Sequence, residues 1–235
     1  MKIESFASSS LGNAYRISDG TTTLLLEAGL PISKLKIKTN FELSSLDGCL
    51  ITHEHNDHSK AVKDLLKLGI DIYMSRGTAT ALSLTGHRIH TVNSQKHFYI
   101  GSFVILPFDT QHDCEEPFGY LIYSLETKET LLFATDTFYI KYKFHNLNFI
   151  MIECNYATDI LNENVKSGRV DQAQKKRLLS SHFELENVKK FLLANDLSKV
   201  KQIYLLHLSS GNSNAERFKR EVQEVTGKEV YVCEE

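Results

Sequence analysis

The chain has 235 residues, 42% of them hydrophobic and 24% charged, which excludes a disordered or fibrous chain and allows a sizeable core. Lys and Arg number 27 against 29 Asp and Glu, so any polyanion site has to be a local patch. The four cysteines form no C-x-x-C pair, the first residues hold no apolar signal segment, and no stretch nears the roughly 20 apolar residues of a membrane span. A single domain over 1–235 is expected, in a reducing cytoplasm and with no membrane attachment.

In chain order, β-rich runs at 14–18 and 21–27 flank Asp19-Gly20, a two-residue hairpin signal. The apolar run 48–52 reads as a strand buried on both faces and ends at a histidine cluster. Ala61, Val62, Leu65, Leu66 and Leu68 then recur at helical spacing with Gly69 as the stop, which places the cluster on a strand-to-helix loop. A helix is predicted over 75–84, and strands over 89–92, 99–106, 118–124, 130–134 and 149–153. The second half turns helical over 159–166, 171–179, 184–194 and 215–225, with capping-box patterns at Ser181 to Glu184 and Ser213 to Glu216. Strands over 202–206 and 229–232 complete a mixed α/β chain in which polar residues end apolar strands, the places where sites collect.

The cluster Thr52-His53-Glu54-His55-Asn56-Asp57-His58 contains H-x-H-x-D-H. Imidazole nitrogen and carboxylate oxygen suit divalent Zn or Mn, and three His and one Asp in six residues can converge on a small volume. Four ligands from one segment exceed what one catalytic metal needs while keeping a position open, so two metals are implied, completed from downstream strand ends. Candidates there are His112, Asp136 and His207, each following an apolar run.

This order, with a strand-end His, then Asp, then His after the motif, resembles the metallo-β-lactamase fold superfamily of hydrolases. The resemblance implies a four-layer αβ/βα sandwich of two mixed β-sheets flanked by helices. It also implies His53, His55 and His112 on a first metal, Asp57, His58 and His207 on a second, and Asp136 as the bridge. Ser8 to Asn13, Leu24 to Gly29, Glu153 to Tyr156, Arg177 to Glu184 and His207-Leu208-Ser209 with Asn212 are similar to the bacterial YycJ/WalJ group, thought of as nucleic-acid hydrolases. The family usually has Asp where Glu27 stands, in a role supporting the metal loop, with Asn13 assigned beside it.

By the same resemblance, Asp57 and the pair His182 and Glu153 are catalytic, His182 as general acid and phosphate binder oriented by Glu153. Arg177, Ser209 and Asn212 are carried over as substrate contacts. Phe138 to His145 interleaves aromatics with cations, as a single-strand path would, and equally as a half-exposed strand would. The expected activity is a two-metal phosphodiester hydrolase, a nuclease on DNA or RNA, with nucleic acid or a nucleotide-like diester as partner and a homodimer left open. A hydrolase of small esters, thioesters or cyclic diesters is the alternative, and a metal-stabilised binding protein the second.

Overall fold

The computed structural model describes residues 1–233, which divide into two compact units, one of residues 1–109 and 114–129, the other of 110–113 and 130–233. Its strands fall into two mixed β-sheets flanked by helices, the expected fold class. Among the described residues no helix is long and apolar enough to cross a membrane.

The first unit carries β1 (Lys2–Ser9), β2 (Gly12–Ser18), β3 (Thr23–Leu26), β4 (Gly48–Leu50), β5 (Ile72–Ser75) and β6 (Ile89–Val92) as a sheet in that order. Strands β1 to β3 pair antiparallel and β3 to β6 parallel. The parallel crossovers hold α1 (Ile32–Lys38), then α2 (Asn56–Ser59) and α3 (Val62–Lys67), then α4 (Arg76–Ala81). Leu24 to Leu26 and Cys49 to Ile51 are fully buried, as an apolar run without alternation foretells for strands covered on both faces. The unit also holds β7 (Phe98–Ile100), β8 (Phe103–Asp109) and β9 (Phe118–Ser124), an antiparallel meander.

Three expectations need correction here. Strand β1 is missing from the sequence reading, because Lys2-Ile3-Glu4-Ser5 lacks apolar alternation and becomes a strand through pairing with β2. The single strand read over 99–106 is two, broken at Gly101, whose φ of 51° is a left-handed turn and whose absent side chain makes room for Thr22. The hairpin at Asp19-Gly20 closes over four residues, not two, with Asp19 Oδ1 accepting from the amides of Thr21 and Thr22.

The second unit carries β10 (Thr130–Ala134), β11 (Phe149–Glu153), β12 (Gln202–Leu206) and β13 (Glu229–Val232), all parallel. With them run α5 (Thr158–Lys166), α6 (Gln172–Ser181), α7 (Leu185–Leu193) and α8 (Ala215–Thr226). Helix α7 buries Leu185, Val188, Phe191 and Leu192, an i, i+3, i+6, i+7 stripe. Both predicted capping boxes fail. Helix α7 is capped by Glu184 itself, which accepts from the Asn187 amide, and α8 by Asn214, which accepts from Arg217. The capping box that does form joins Asp171 and Gln174 at α6. Residues 138–145 adopt neither helix nor strand, so the half-exposed strand reading of that segment falls.

Candidate active site

In the first unit, the chain leaving β4 is fastened before the histidine motif begins. Tyr120 Oη donates to the Ile51 carbonyl at 2.7 Å and the Phe118 amide donates to the Thr52 carbonyl at 3.0 Å. His53 is buried, with Thr52 Oγ1 2.9 Å from its Nδ1 and His55 Nδ1 3.1 Å from its Nε2. The motif is not wholly a loop, since Asp57 and His58 lie on the single turn α2, with His55 at its N-cap. That turn brings the His58 ring to 4.2 Å from the His53 ring and His58 Nε2 to 3.3 Å from Asp57 Oδ2.

Glu27 and Asn13 brace this loop. Glu27 is fully buried and sits at φ 65°, a left-handed backbone that costs a non-glycine residue about 1–2 kcal/mol. Its Oε1 accepts from the Thr52 amide at 3.1 Å and its Oε2 lies 3.5 Å from His58 Nδ1. The carboxylate thus reaches the loop despite the extra methylene relative to Asp. Burial raises its pKa above the usual carboxylate value, and the adjoining His58 ring and the Thr52 amide oppose that rise. Asn13 Nδ2 donates to the Ser9 and Asp57 carbonyls at 3.0 and 3.2 Å, and its Oδ1 accepts from Tyr15 Oη. Gly29 is compulsory between them, because a Cβ there would lie 1.6 Å from the Asp57 carbonyl oxygen.

In the second unit, the parallel register aligns strand ends. Ala134 pairs with Ile152 and Glu153 with Leu206, so Asp136, Glu153 and His207 emerge at one edge, the carboxyl ends of three adjacent strands. Asp136 and His207 take φ of 43° and 52°. Both turn sharply off their strands, and Asp136 Oδ1 accepts from His207 Nδ1 at 2.6 Å and from Thr135 Oγ1 at 2.7 Å. His112 Nε2 lies 3.8 Å from Asp136 Oδ2.

Glu153, fully buried, uses both oxygens. Oε1 takes His182 Nδ1–H at 2.6 Å, and Oε2 accepts the amides of Thr137 at 2.9 Å and Phe183 at 3.0 Å. Burial alone would lower the pKa of His182, but the adjoining Glu153 carboxylate outweighs it, helped by Asp136 and Asp113, and lifts it to about 9. With Nδ1 committed to Glu153, the proton this residue can give away sits on Nε2.

The donors themselves test whether a divalent ion fits. A carbonyl can only accept, so the 2.8 Å contact to the Ser181 carbonyl fixes the proton of His112 on Nδ1 and leaves a lone pair on Nε2, facing the Asp136 carboxylate. Burial lowers the pKa of His112, and the charge of Asp136 partly offsets that. His112 Nε2 also lies 3.3 Å from Asp113 Oδ1, so an imidazole nitrogen and two carboxylates meet here, a donor set that suits a divalent ion. In the motif, the 3.1 Å between His53 Nε2 and His55 Nδ1 is close to the ~3.3 Å edge expected of two nitrogens held at ~2.05 Å on a tetrahedral ion. The imidazole and carboxylate donors of the chain are of the kind a divalent ion takes.

The remaining assigned residues are placed differently. Arg177 is exposed, and its Nε donates to Asp113 Oδ2 at 3.0 Å, beside His112. Ser209 and Asn212 fasten the loop after β12: the Ser209 amide donates to the Asn155 carbonyl, and buried Asn212 accepts from Asn164 Nδ2 on its Oδ1 and from the Ala157 amide on its carbonyl. Sequence reasoning missed Thr137, whose Oγ1 accepts from the Gln111 amide next to His112, and Asn155, whose Nδ2 donates to the His207 carbonyl at 2.8 Å. Asn155 lies in the run Glu153 to Tyr156 that resembles the YycJ/WalJ group, which was its one signal; Thr137 carries no sequence signal.

Residues 23–207 match the family model described as a β-lactamase superfamily domain. The chain is 30% identical over 229 residues to an exodeoxyribonuclease WalJ of Streptococcus pneumoniae serotype 2, covering 90% of this chain and 83% of that protein. It is 27% identical over 237 residues to an exodeoxyribonuclease YycJ of Bacillus anthracis, covering 93% and 86%. Among solved structures it resembles the metallo-β-lactamase fold protein YhfI of Bacillus subtilis, with a TM-score of 0.76, 16% identity and coverage of 99% and 95%.

Proposed function

The chain belongs to the metallo-β-lactamase fold superfamily, in its YycJ/WalJ group, and from that premise we propose that it is a two-metal phosphodiesterase, a nuclease acting on DNA or RNA. A metal-dependent hydrolase of the nuclease class is the reading its exodeoxyribonuclease relatives support. Two ions, Zn or Mn, are the finer proposal, as are a cytoplasmic setting and a homodimer. His53, His55 and His112 would hold the first ion, Asp57, His58 and His207 the second, and Asp136 would bridge. When bound, such a pair supplies Lewis acidity at the phosphate and a nucleophile at neutral pH.

The observation that carries the diesterase reading is the His182–Glu153 pair, because a departing alkoxide must be protonated or neutralised. His182 Nδ1 lies 3.9 Å from Asp136 Oδ2, beside the residue assigned as bridge. Glu153 holds the imidazole in one orientation and favours its charged form. His182 then donates the Nε2 proton to the leaving oxygen, and before that step its charge attracts the phosphate. Asp57 would orient the attacking water. Glu27 and Asn13 take no part in proton transfer; they hold the motif in place.

The test is metal analysis of the purified protein, joined to a panel of bis(p-nitrophenyl) phosphate, single- and double-stranded DNA, RNA, a thioester and a β-lactam with Mn or Zn. Diester cleavage is expected to dominate. Robust lactam or thioester hydrolysis without diester cleavage overturns the proposal.

A further inference from the structure

The segment from Phe138 to Phe144 hangs between two anchors. At its start the Thr137 amide donates to Glu153 Oε2, the Phe138 amide donates to the Gln111 carbonyl at 3.1 Å, and Thr137 Oγ1 donates to the Tyr139 carbonyl at 2.9 Å. At its end the Phe144 amide donates to Asn195 Oδ1 at 2.7 Å, and Asn195 Nδ2 donates to the Phe191 carbonyl at the C-terminal end of α7. Held at both ends, a stretch without helix or strand encloses, together with α7, a pocket of about 430 Å³. That volume lies within the ~300–1,000 Å³ usual for ligand sites.

Its lining is aromatic and cationic. Phe183 and Phe191 are buried, while Phe138 and Tyr139 are 37% and 55% exposed. Exposed Lys141, Lys143 and Lys190 join them, and among the described residues no Asp or Glu lines the pocket, in a chain whose net charge is −2. Lysines alone would suit any anion and rings alone any apolar ligand, whereas aromatic faces beside lysines suit a stacked base with flanking phosphates. The pocket is also tied to the proton donor, because the one oxygen Glu153 Oε2 holds the amides of Thr137 and Phe183, which begin its two walls. Phe183 directly follows His182 in sequence.

We propose that this pocket takes an unpaired nucleobase of the substrate strand, stacked on Tyr139 and Phe138, with Lys143 and Lys190 on neighbouring phosphates. The proposal rests on the nuclease reading and deepens it: the strand must present a free base face, so single-stranded or frayed ends bind best. A base inside a duplex is already stacked on its neighbours.

The test uses the full-length protein in two measurements. Fluorescein-labelled oligothymidylate binding to the metal-free protein is followed by anisotropy. Steady-state hydrolysis of the same oligonucleotide and of bis(p-nitrophenyl) phosphate is followed with the metal-loaded protein. Tyr139→Ala is expected to weaken oligonucleotide binding about 5- to 150-fold, the usual worth of one stacked base, and Tyr139→Phe to retain it. The ratio of oligonucleotide KM to small-diester KM should rise by the same factor. Lys143→Ala combined with Lys190→Ala should flatten the slope of log affinity against log salt by about 1.4. The proposal is overturned if Tyr139→Ala binds like the parent, or if both KM values rise in proportion, since the segment then only supports the catalytic residues. Tyr139-dependent binding without any diester cleavage by the parent protein would sink the nuclease reading and leave the pocket standing. Intact cleavage with binding indifferent to Tyr139 would do the reverse.

Discussion

His182 is where chemistry and scaffolding separate most cleanly. Its partner Glu153 is wholly buried and holds it at 2.6 Å, and an imidazole pKa raised from 6.5 to about 9 corresponds to roughly 3 kcal/mol of preference for the charged form. Replacing His182 with Ala removes the proposed proton donor, so kcat should fall by roughly 10²–10⁴, the worth of a positioned general acid, with fold and metal content retained. Glu153→Gln is a subtler probe. The Gln oxygen can keep the amides of Thr137 and Phe183 while its NH2 group turns to His182 Nδ1. The ring is then neutral with its proton on Nε2, oriented but a weaker donor, and the loss in kcat should be smaller than for His182→Ala. The assay compares a diester with a p-nitrophenyl leaving group against one with an alkyl leaving group. The well-stabilised phenolate needs little protonation, so only the alkyl diester should slow strongly. Equal slowing of both would refute proton donation and leave His182 as a phosphate binder; loss of metal would make it a ligand.

In the metal-free protein the same coupling makes stability depend on pH. The folded-state pKa of His182 is raised, so its stabilisation is complete below pH 6.5 and disappears as pH rises through about 9; urea titrations at pH 6 and pH 9.5 should show a loss of up to about 3 kcal/mol that Glu153→Gln abolishes. Asp136→Ala should lower occupancy at both metal sites, and elemental analysis still finding two ions per chain would refute its bridging role. Glu27→Ala should weaken metal binding about 10- to 100-fold by freeing the Thr52 amide and the His58 ring, measurable by chelator competition. Gly29→Ala should displace the Asp57 turn, with a stability loss of at least 1–3 kcal/mol in thermal unfolding; an unchanged melting temperature would contradict the close approach.

The motif from His53 to His58 was readable because metal ligation within six residues is a local property, and the strand ends at Asp136 and His207 because apolar runs stop there. Strands 118–124, 130–134, 149–153, 202–206 and 229–232 match their apolar runs residue for residue, since burial on a sheet is written in side-chain hydrophobicity. The role proposed for Glu153 rested on likeness to relatives alone, because a Glu at a strand end is ordinary until His182, 29 positions on, is folded against it.

Other features belong to the tertiary structure. The left-handed backbones at Glu27, Asp136 and His207 go against the local preference of L residues, and surrounding contacts hold them there. The true caps at Glu184 and Asn214 depended on where the chain entered each helix, and the break at Gly101 on the Thr22 side chain occupying its Cβ position. A sequence records which groups a chain carries and the period at which it buries them. Which carboxylate oxygen receives which amide, and which ring nitrogen keeps its proton, is decided only when distant strand ends meet.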